Sequence, residues 1–152
     1  MTTTTTRRSF LVSGGVGAAV FALGGRADAR DWTAAEKANA KVVSDFAAAW
    51  ATGDPNKVTA SLADDCVVRF SQNQEPIKGR ATVNERLKTG LQNSKIEFDV
   101  LETFAAGPLV VNLRDDYVTG KDGKRNRFRV AGVFYIRDGK IIEWIDAVVQ
   151  NA

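Results

Sequence analysis

Two kinds of hydrophobic spacing divide the chain. Between residues 33 and 91, apolar residues recur at intervals of four, which places them on one face of a helix. From Ser94 onward they alternate every second residue, which is typical of strands with one buried face. Helices followed by a long antiparallel meander predict an α+β domain. We expect three N-terminal helices packed on a strongly curved, mostly antiparallel sheet, with a pocket between them.

The helical part predicts three separate helices. The first spans residues 33–52 and begins with Thr33 and Glu36, the spacing of a capping box. Asp54 caps a second, short helix, and Gly79 opens a third. The buried positions predicted for the three helices are Val42, Phe46 and Trp50, then Val58 and Leu62, then Val83, Leu87 and Leu91.

The alternating part predicts a meander of strands. Residues 66–71 form an isolated strand between the helices. Residues 95–105 and 109–119 follow, joined by a turn at Gly107, and a hairpin signal at residues 121–124 leads into the next strand. That strand turns its apolar residues to one face and a basic row to the other, and we interpret the basic row as a solvated sheet face. The apolar residues are Phe128, Val130, Phe134 and Ile136, and the basic ones are Arg125, Arg127 and Arg129.

Three charged residues interrupt apolar strand faces. Residues two apart in a strand point the same way, so Arg114 and Asp116 share a face, and Asp146 lies on the corresponding apolar face of the last strand. We expect the apolar neighbours of this trio to line the pocket. They are Val110 and Val118 beside the first pair, and Ile142, Trp144 and Val148 beside Asp146.

A trio of this kind has two interpretations. An unpaired carboxylate on an apolar face is costly, whereas two acids bridged by one guanidinium can be buried together and can also move protons. Buried ion networks also occur purely as structure. Asp115 and Glu143 point to the opposite faces, where we expect solvent.

Composition removes several classes of protein. The chain has 152 residues, room for one domain with a core, and contains no histidine, so Ser-His-Asp and Cys-His catalysis and imidazole zinc sites are excluded. Its net charge of +3 falls to about +1 without the first 29 residues, which gives no reason to expect nucleic acid as a partner. The single cysteine, Cys66, lies in an apolar stretch and fits a buried hydrophobe better than a nucleophile.

The first 29 residues read as a targeting segment. Arg7 and Arg8 precede a weakly apolar run, and Ala27-Asp28-Ala29 offers the small residues of a cleavage site, a pattern that resembles a twin-arginine signal. A general secretory signal or an anchor is the alternative, although the run is shorter than the roughly 20 residues that span a bilayer. We therefore expect a mature domain of residues 30–152 that is exported to the periplasm or beyond, with no membrane attachment after removal of the signal.

At the trio the sequence resembles limonene-1,2-epoxide hydrolase, in the cystatin-like superfamily that also includes ketosteroid isomerase, nuclear transport factor 2 and SnoaL-like proteins. The similarity spans roughly residues 46–148. It is carried by three segments, Arg114-Asp115-Asp116, Gly132-Val133-Phe134 with Asp138-Gly139-Lys140, and Gly139-Lys140-Ile141-Ile142-Glu143-Trp144-Ile145-Asp146.

The resemblance implies a role for each member of the trio. Asp146 would be the base that activates water, Asp116 the acid that protonates the epoxide oxygen, and Arg114 the bridge between them. The family holds its water with a Tyr-x-Asn, which Ser71-Gln72-Asn73 replaces here, so Asn73 would position water without the tyrosine. The resemblance also implies a homodimer, of which the sequence gives no independent sign.

Three functions follow from these observations. The first is a cofactor-independent epoxide hydrolase that adds water to a small apolar epoxide and needs no metal. The second is a proton-transfer enzyme of the ketosteroid-isomerase or SnoaL-like kind, although Arg69-Phe70 offers no carboxylate where that base is expected. The third is a pocketed domain that binds a small molecule without catalysis, because folds of this kind host many functions.

Overall fold

The computed structural model describes residues 31–151. The predictions for residues 1–29, the export signal and its cleavage site, lie outside the described residues. None of the helices in the described part is long and apolar enough to span a membrane.

Three helices form where the spacing and the caps predict them. The first helix, α1, spans Ala34–Trp50 and begins at the predicted capping box, in which Thr33 Oγ1 accepts from the backbone N–H of Glu36 and the Glu36 carboxylate accepts from that of Thr33. The second, α2, spans Pro55–Thr59, and the third, α3, spans Arg80–Leu91. The predicted helical part of the fold is thus confirmed.

Six strands form one sheet in the order β2-β1-β6-β5-β4-β3. The β1 and β6 strands pair in parallel, and every other neighbouring pair is antiparallel. This is the mostly antiparallel sheet that the alternating pattern predicts. The strands are β1 Leu62–Arg69, β2 Ile77–Lys78, β3 Ser94–Ala106, β4 Leu109–Gly120, β5 Arg125–Arg137 and β6 Lys140–Asn151.

The predicted placement of Leu62 is wrong. It is buried, with 1% of its surface exposed, but it opens β1 and does not belong to α2. The short helix ends at Thr59 and its cap residue Ala60, so the chain is already extended when it reaches Leu62. The first strand therefore begins four residues earlier than its apolar run suggests.

A β-bulge shifts the alternation in β6. Ile141 pairs with Ile136 and Glu143 pairs with Tyr135, which leaves Ile142 as an extra residue without a partner on β5. As a result Ile141 is fully buried, whereas Ile142 is only half-buried. Trp144 and Asp146 keep the inward orientation that the pattern predicts, but Ile142 does not share it.

An aromatic cluster joins α1 to the inner face of the sheet. The Phe46 ring packs edge-on against Phe134 of β5 and Trp144 of β6, with centroids 5.7 and 4.9 Å apart. Trp50, one turn further along α1, packs edge-on against Trp144 at 5.8 Å. This layer of helices on one face of a curved sheet confirms the predicted fold class.

Candidate active site

The structure brings the three predicted residues together. Arg114 Nε donates to Asp116 Oδ1 at 2.7 Å, and Arg114 Nη2 donates to Asp146 Oδ2 at 2.6 Å. Its third nitrogen, Nη1, donates to Asn112 Oδ1 at 3.0 Å. The guanidinium is fully buried, and it bridges an acid of β4 and an acid of β6 across the intervening strand β5.

Gly132 provides the space for this bridge. It lies on β5 between Asn112 of β4 and Asp146 of β6, directly beneath the guanidinium. A Cβ atom at this position would overlap Arg114 Nη1 and would lie 2.7 Å from Asn112 Oδ1 and 2.8 Å from the ring of Phe134. A glycine in the middle of a strand here permits the close approach of another group.

Two further contacts orient the charged groups. The Arg114 guanidinium lies over the Phe98 ring, with its central carbon 4.2 Å from the ring centroid. Trp144 Nε1 donates to Asp146 Oδ1 at 2.6 Å, so each oxygen of Asp146 accepts one hydrogen bond from the protein. The Trp144 contact was missed at the sequence level, although both residues face inward two positions apart in β6.

Both acids bind protons more tightly than free aspartate. Burial raises the pKa of Asp116 to about 6, partly offset by Arg114 and reinforced by the charge of Asp146. Burial also raises the pKa of Asp146, against the hydrogen bonds from Arg114 and Trp144 that favour its charged form. Two acids share a single cation here, so an arrangement with one protonated and one ionised carboxyl group is accessible near neutral pH.

A cavity of about 190 Å³ opens onto the two acids. Five of its lining residues were predicted, namely Asp116, Val118, Trp144, Asp146 and Val148. Six were missed because other elements bring them in, namely Trp50, Phe70, Ile96, Phe98, Phe128 and Val130.

Two predicted lining residues do not line this cavity. Val110 lies on the predicted face of β4 but is fully buried in the hydrophobic core. Ile142 is displaced by the bulge in β6, as described above. Apart from Asp116 and Asp146, the described residues of the cavity wall are aromatic or aliphatic.

Asn73, the predicted water-holding residue, does not reach the trio. It lies in an exposed turn after β1, where its backbone N–H donates to Ser71 Oγ at 3.4 Å. Neither residue lines the cavity. Gln72 between them is tied to the backbone of Val148 through its side-chain amide, with Val148 N donating to Gln72 Oε1 at 3.0 Å.

The outer face of β4 differs from its prediction. Asp115 was expected to contact solvent but is only 4% exposed, because Arg129 of β5 covers it and donates to both of its oxygens, at 2.5 and 3.1 Å. Arg127 adds a longer ion pair at 3.8 Å. Hydrogen bonding from Arg129 lowers the pKa of Asp115, so this acid stays ionised.

Two other features carry no comparable chemistry. An open groove of about 990 Å³ between α2 and α3 is larger than the cavity, but its three charged wall residues are already paired, Arg80 with Asp64 and Glu85 with Lys88. Cys66 is fully buried, and burial raises the pKa of its thiol, which agrees with its interpretation as a small core residue.

Solved structures with the same fold include several small-molecule enzymes. An LEH-like epoxide hydrolase from M. tuberculosis is 26% identical with a TM-score of 0.68, over 74% of this chain and 84% of that one. The epoxide hydrolase/cyclase-like enzyme SalBIII, of pyran ring formation in salinomycin, is 15% identical with a TM-score of 0.69, over 76% and 93%. A Δ5-3-ketosteroid isomerase from Mycobacterium sp. is 16% identical with a TM-score of 0.65, over 72% and 91%.

Two sequence comparisons give different results. No curated protein matches the chain significantly. The family model described as a SnoaL-like domain matches residues 43–144, which include the second half of α1, Arg114, Asp116 and most of the sheet, and which end two residues before Asp146. With two thirds of its length matched and a nuclear transport factor 2-like fold shared with these enzymes, the chain belongs to the SnoaL-like domain family.

Proposed function

We propose that this protein is a cofactor-independent epoxide hydrolase that adds water to a small apolar epoxide. The observation that carries the proposal is the fully buried Arg114, hydrogen-bonded to Asp116 on one side and to Asp146 on the other, with both acids at the wall of an apolar cavity. The likeness to an epoxide hydrolase at 26% identity supports the same reaction.

The reaction assigns a different protonation state to each acid. Ionised Asp146 takes a proton from water while the water oxygen attacks a ring carbon. The carbon–oxygen bond of the epoxide breaks, and protonated Asp116 gives its proton to the departing oxygen, which leaves a diol. Asp146 is then protonated and Asp116 ionised, and one proton returned from the first to the second restores the starting state.

Burial and charge support this division of labour. A pKa of about 6 keeps a useful fraction of Asp116 protonated near neutral pH, so that it can act as an acid. Asp146 accepts hydrogen bonds from Arg114 and Trp144, and both bonds favour its charged form against the burial that raises its pKa. Arg114 thus holds the two carboxyl groups in fixed positions on either side of the bound substrate.

The cavity supports a small, largely apolar substrate. Its volume of about 190 Å³ and its aromatic and aliphatic wall favour a compact hydrocarbon epoxide. No cationic side chain is among the lining residues in the described part of the chain, so the wall offers no counter-charge to an anionic substrate.

The test is a panel of small cyclic and terminal epoxides offered to the purified protein in ¹⁸O-labelled water. We expect at least one to give a diol with a single labelled oxygen, and Asp146→Asn to abolish the reaction. Label-free product, or hydrolysis by Asp146→Asn at the wild-type rate, would remove the proposal.

A second candidate is proton transfer on a carbon acid, as in a ketosteroid isomerase. It is favoured by the position of Asn73 outside the cavity, because the water-holding residue expected for hydrolysis is not at the trio. Incubation of a small cyclic β,γ-unsaturated ketone in deuterated water separates the two reactions. Deuterium exchange without any diol from the epoxide panel would favour the isomerase.

We also propose that the protein is exported and forms a homodimer. Exposed aromatic rings on the outer face of the sheet support self-association, since Phe104 is 55% and Tyr135 41% exposed. Analytical ultracentrifugation measures the oligomeric state, and a monomer at micromolar concentration would contradict the dimer.

Export is tested by the N-terminal sequence of protein recovered outside the cytoplasm, which we expect to begin near Arg30.

A further inference from the structure

Trp50 carries a hydrogen-bond donor that the protein itself does not use. The residue ends α1, is 3% exposed and lines the cavity. In the described part of the chain, its indole Nε1 is the one buried side-chain nitrogen or oxygen atom without a hydrogen-bond partner. A buried donor left unpaired costs about 1–3 kcal/mol and calls for an explanation.

The Trp50 ring lies between the two walls that carry the acids. On one side it stacks on Phe98, with centroids 4.7 Å apart, and Phe98 pairs directly with Asp116 across β3 and β4. On the other side it packs edge-on against Trp144 at 5.8 Å, and Trp144 holds Asp146. The indole therefore contacts a neighbour of the proposed acid and a neighbour of the proposed base.

The other donors near the acids are already committed. Trp144 Nε1 donates to Asp146, and the three nitrogens of Arg114 donate to Asp116, Asp146 and Asn112. Tryptophan and carboxyl groups are the only polar side chains among the described residues of the cavity wall. Apart from the proton of Asp116, which goes to the epoxide oxygen, an oxygen atom placed between the two acids thus has one uncommitted side-chain donor within this wall, the N–H of Trp50.

We infer that Trp50 Nε1–H donates to the oxygen of the water that Asp146 activates. An indole can donate but not accept, so it would leave both water protons free, and one of them would point at the Asp146 carboxylate. The remaining lone pair of the water would then face the epoxide carbon. This inference rests on the proposed hydrolysis, and it assigns to an aromatic residue of α1 the positioning role that Asn73 does not fill.

The kinetic test replaces Trp50 by phenylalanine, which keeps an aromatic ring and removes the donor. We expect kcat to fall roughly tenfold or more, as for the loss of one hydrogen bond in the transition state, with KM changed by less than about twofold. The matched control is Trp32→Phe, since Trp32 packs against the core away from this cavity, and its kcat should stay at the wild-type value. A wild-type kcat for Trp50→Phe would overturn the inference.

A spectroscopic test does not depend on the stability of the variant or on turnover. In ¹⁵N-labelled wild-type protein, the Trp50 indole N–H should show a cross-peak to a bound water, and trans-cyclohexane-1,2-diol should shift that resonance. The Trp32 indole serves as the control and should not respond to the diol. Absence of both the water cross-peak and the diol shift at Trp50 would overturn the inference.

The two tests separate this inference from the proposed function. If wild-type protein hydrolyses no epoxide, the proposed function fails, yet the Trp50 resonance still decides whether this N–H binds an oxygen in the cavity. If the epoxides are hydrolysed but the Trp50 signals are silent, hydrolysis stands and water is held by another group.

Discussion

Consecutive residues of β4 show two opposite ways to bury an aspartate. On the inner face, Asp116 and Asp146 share one arginine, so acids outnumber the cation and burial raises the pKa of both. On the outer face, Asp115 lies between two arginines, Arg129 and Arg127, and its pKa is lowered. Around Asp116 two acids share one arginine, whereas around the preceding residue, Asp115, two arginines share one acid.

The difference shows what distinguishes a site from a structural ion pair. An acid with a surplus of arginine partners stays ionised and has no proton to give. An acid that competes for a single buried arginine can hold a proton near neutral pH and can release it again. Sequence alone shows three charged residues in a row, Arg114-Asp115-Asp116, and does not show how the partners are divided between them.

The largest expected effect is a loss of activity when the acid on the inner face of β4 is replaced, but not when the acid on the outer face is. Asp116→Asn keeps the shape of the side chain but has no acidic proton, so we expect kcat on an epoxide to fall by about 10²- to 10⁴-fold. Asp115→Asn changes the neighbouring residue in the same way and should keep kcat within a few-fold of wild type, measured on folded protein. Equal losses in the two variants would mean that β4 only needs its charges for structure.

The pH dependence of stability should have opposite signs on the two faces. The folded pKa of Asp116 lies above its unfolded value of about 4, so its contribution is most favourable below pH 4 and is lost as pH rises to about 6. The loss amounts to about 3 kcal/mol if Asp116 titrates alone. Asp115 has a lowered pKa, so its contribution is present above pH 4 and is lost as pH falls.

Urea unfolding between pH 3 and pH 8 gives the free energy of unfolding of the wild type and of each variant. The difference between the wild type and Asp116→Asn gives the contribution of Asp116, and the difference from Asp115→Asn gives that of Asp115. The wild type should lose stability relative to Asp116→Asn as pH rises from 4 to 6. Relative to Asp115→Asn, it should lose stability as pH falls through the acid range. The same sign for both differences would contradict the comparison.

The smallest of the three effects is expected when the space that Gly132 leaves for the Arg114 guanidinium is filled. Gly132→Ala places a methyl group where the Arg114 guanidinium and Asn112 now lie, so we expect a loss of about 1–3 kcal/mol in unfolding free energy and lower activity. Gly90→Ala is the control, because no atom lies within 4 Å of its added Cβ in α3. It should stabilise the protein by about 0.5–1 kcal/mol. A neutral Gly132→Ala would mean that the bridge can shift without cost.

Local patterns predicted most of the fold. Caps and apolar spacing are properties of a few neighbouring residues, so the capping box of Thr33 and Glu36 and the extent of α1 could be read directly. Arg114 and Asp116 could be placed on the inward face because the pairing of β4 with β5 runs without a register shift from Val110 to Val118. What depends on neighbours within one strand or helix was therefore accessible from the sequence.

Features that depend on contacts between elements could not be predicted in this way. Asp115 is buried because Arg129 of the adjacent strand lies over it, and Trp50 meets the cavity because α1 crosses the sheet at that point. The need for glycine at position 132 arises from an arginine on another strand. In each case the deciding group is distant in sequence, and no pattern of neighbouring residues records it.

The bulge at Ile142 determines which side chains of β6 face the core and the cavity. Ile141 packs into the core and Asp146 faces the cavity only because one unpaired residue separates the two halves of the strand. Deleting that residue would keep every side chain of the trio in the sequence. It would also force the strand either to turn Trp144 and Asp146 outward or to withdraw Ile141 from the core. The bulge thus works as a one-residue spacer that lets one strand anchor the hydrophobic core and also turn Asp146 to the cavity.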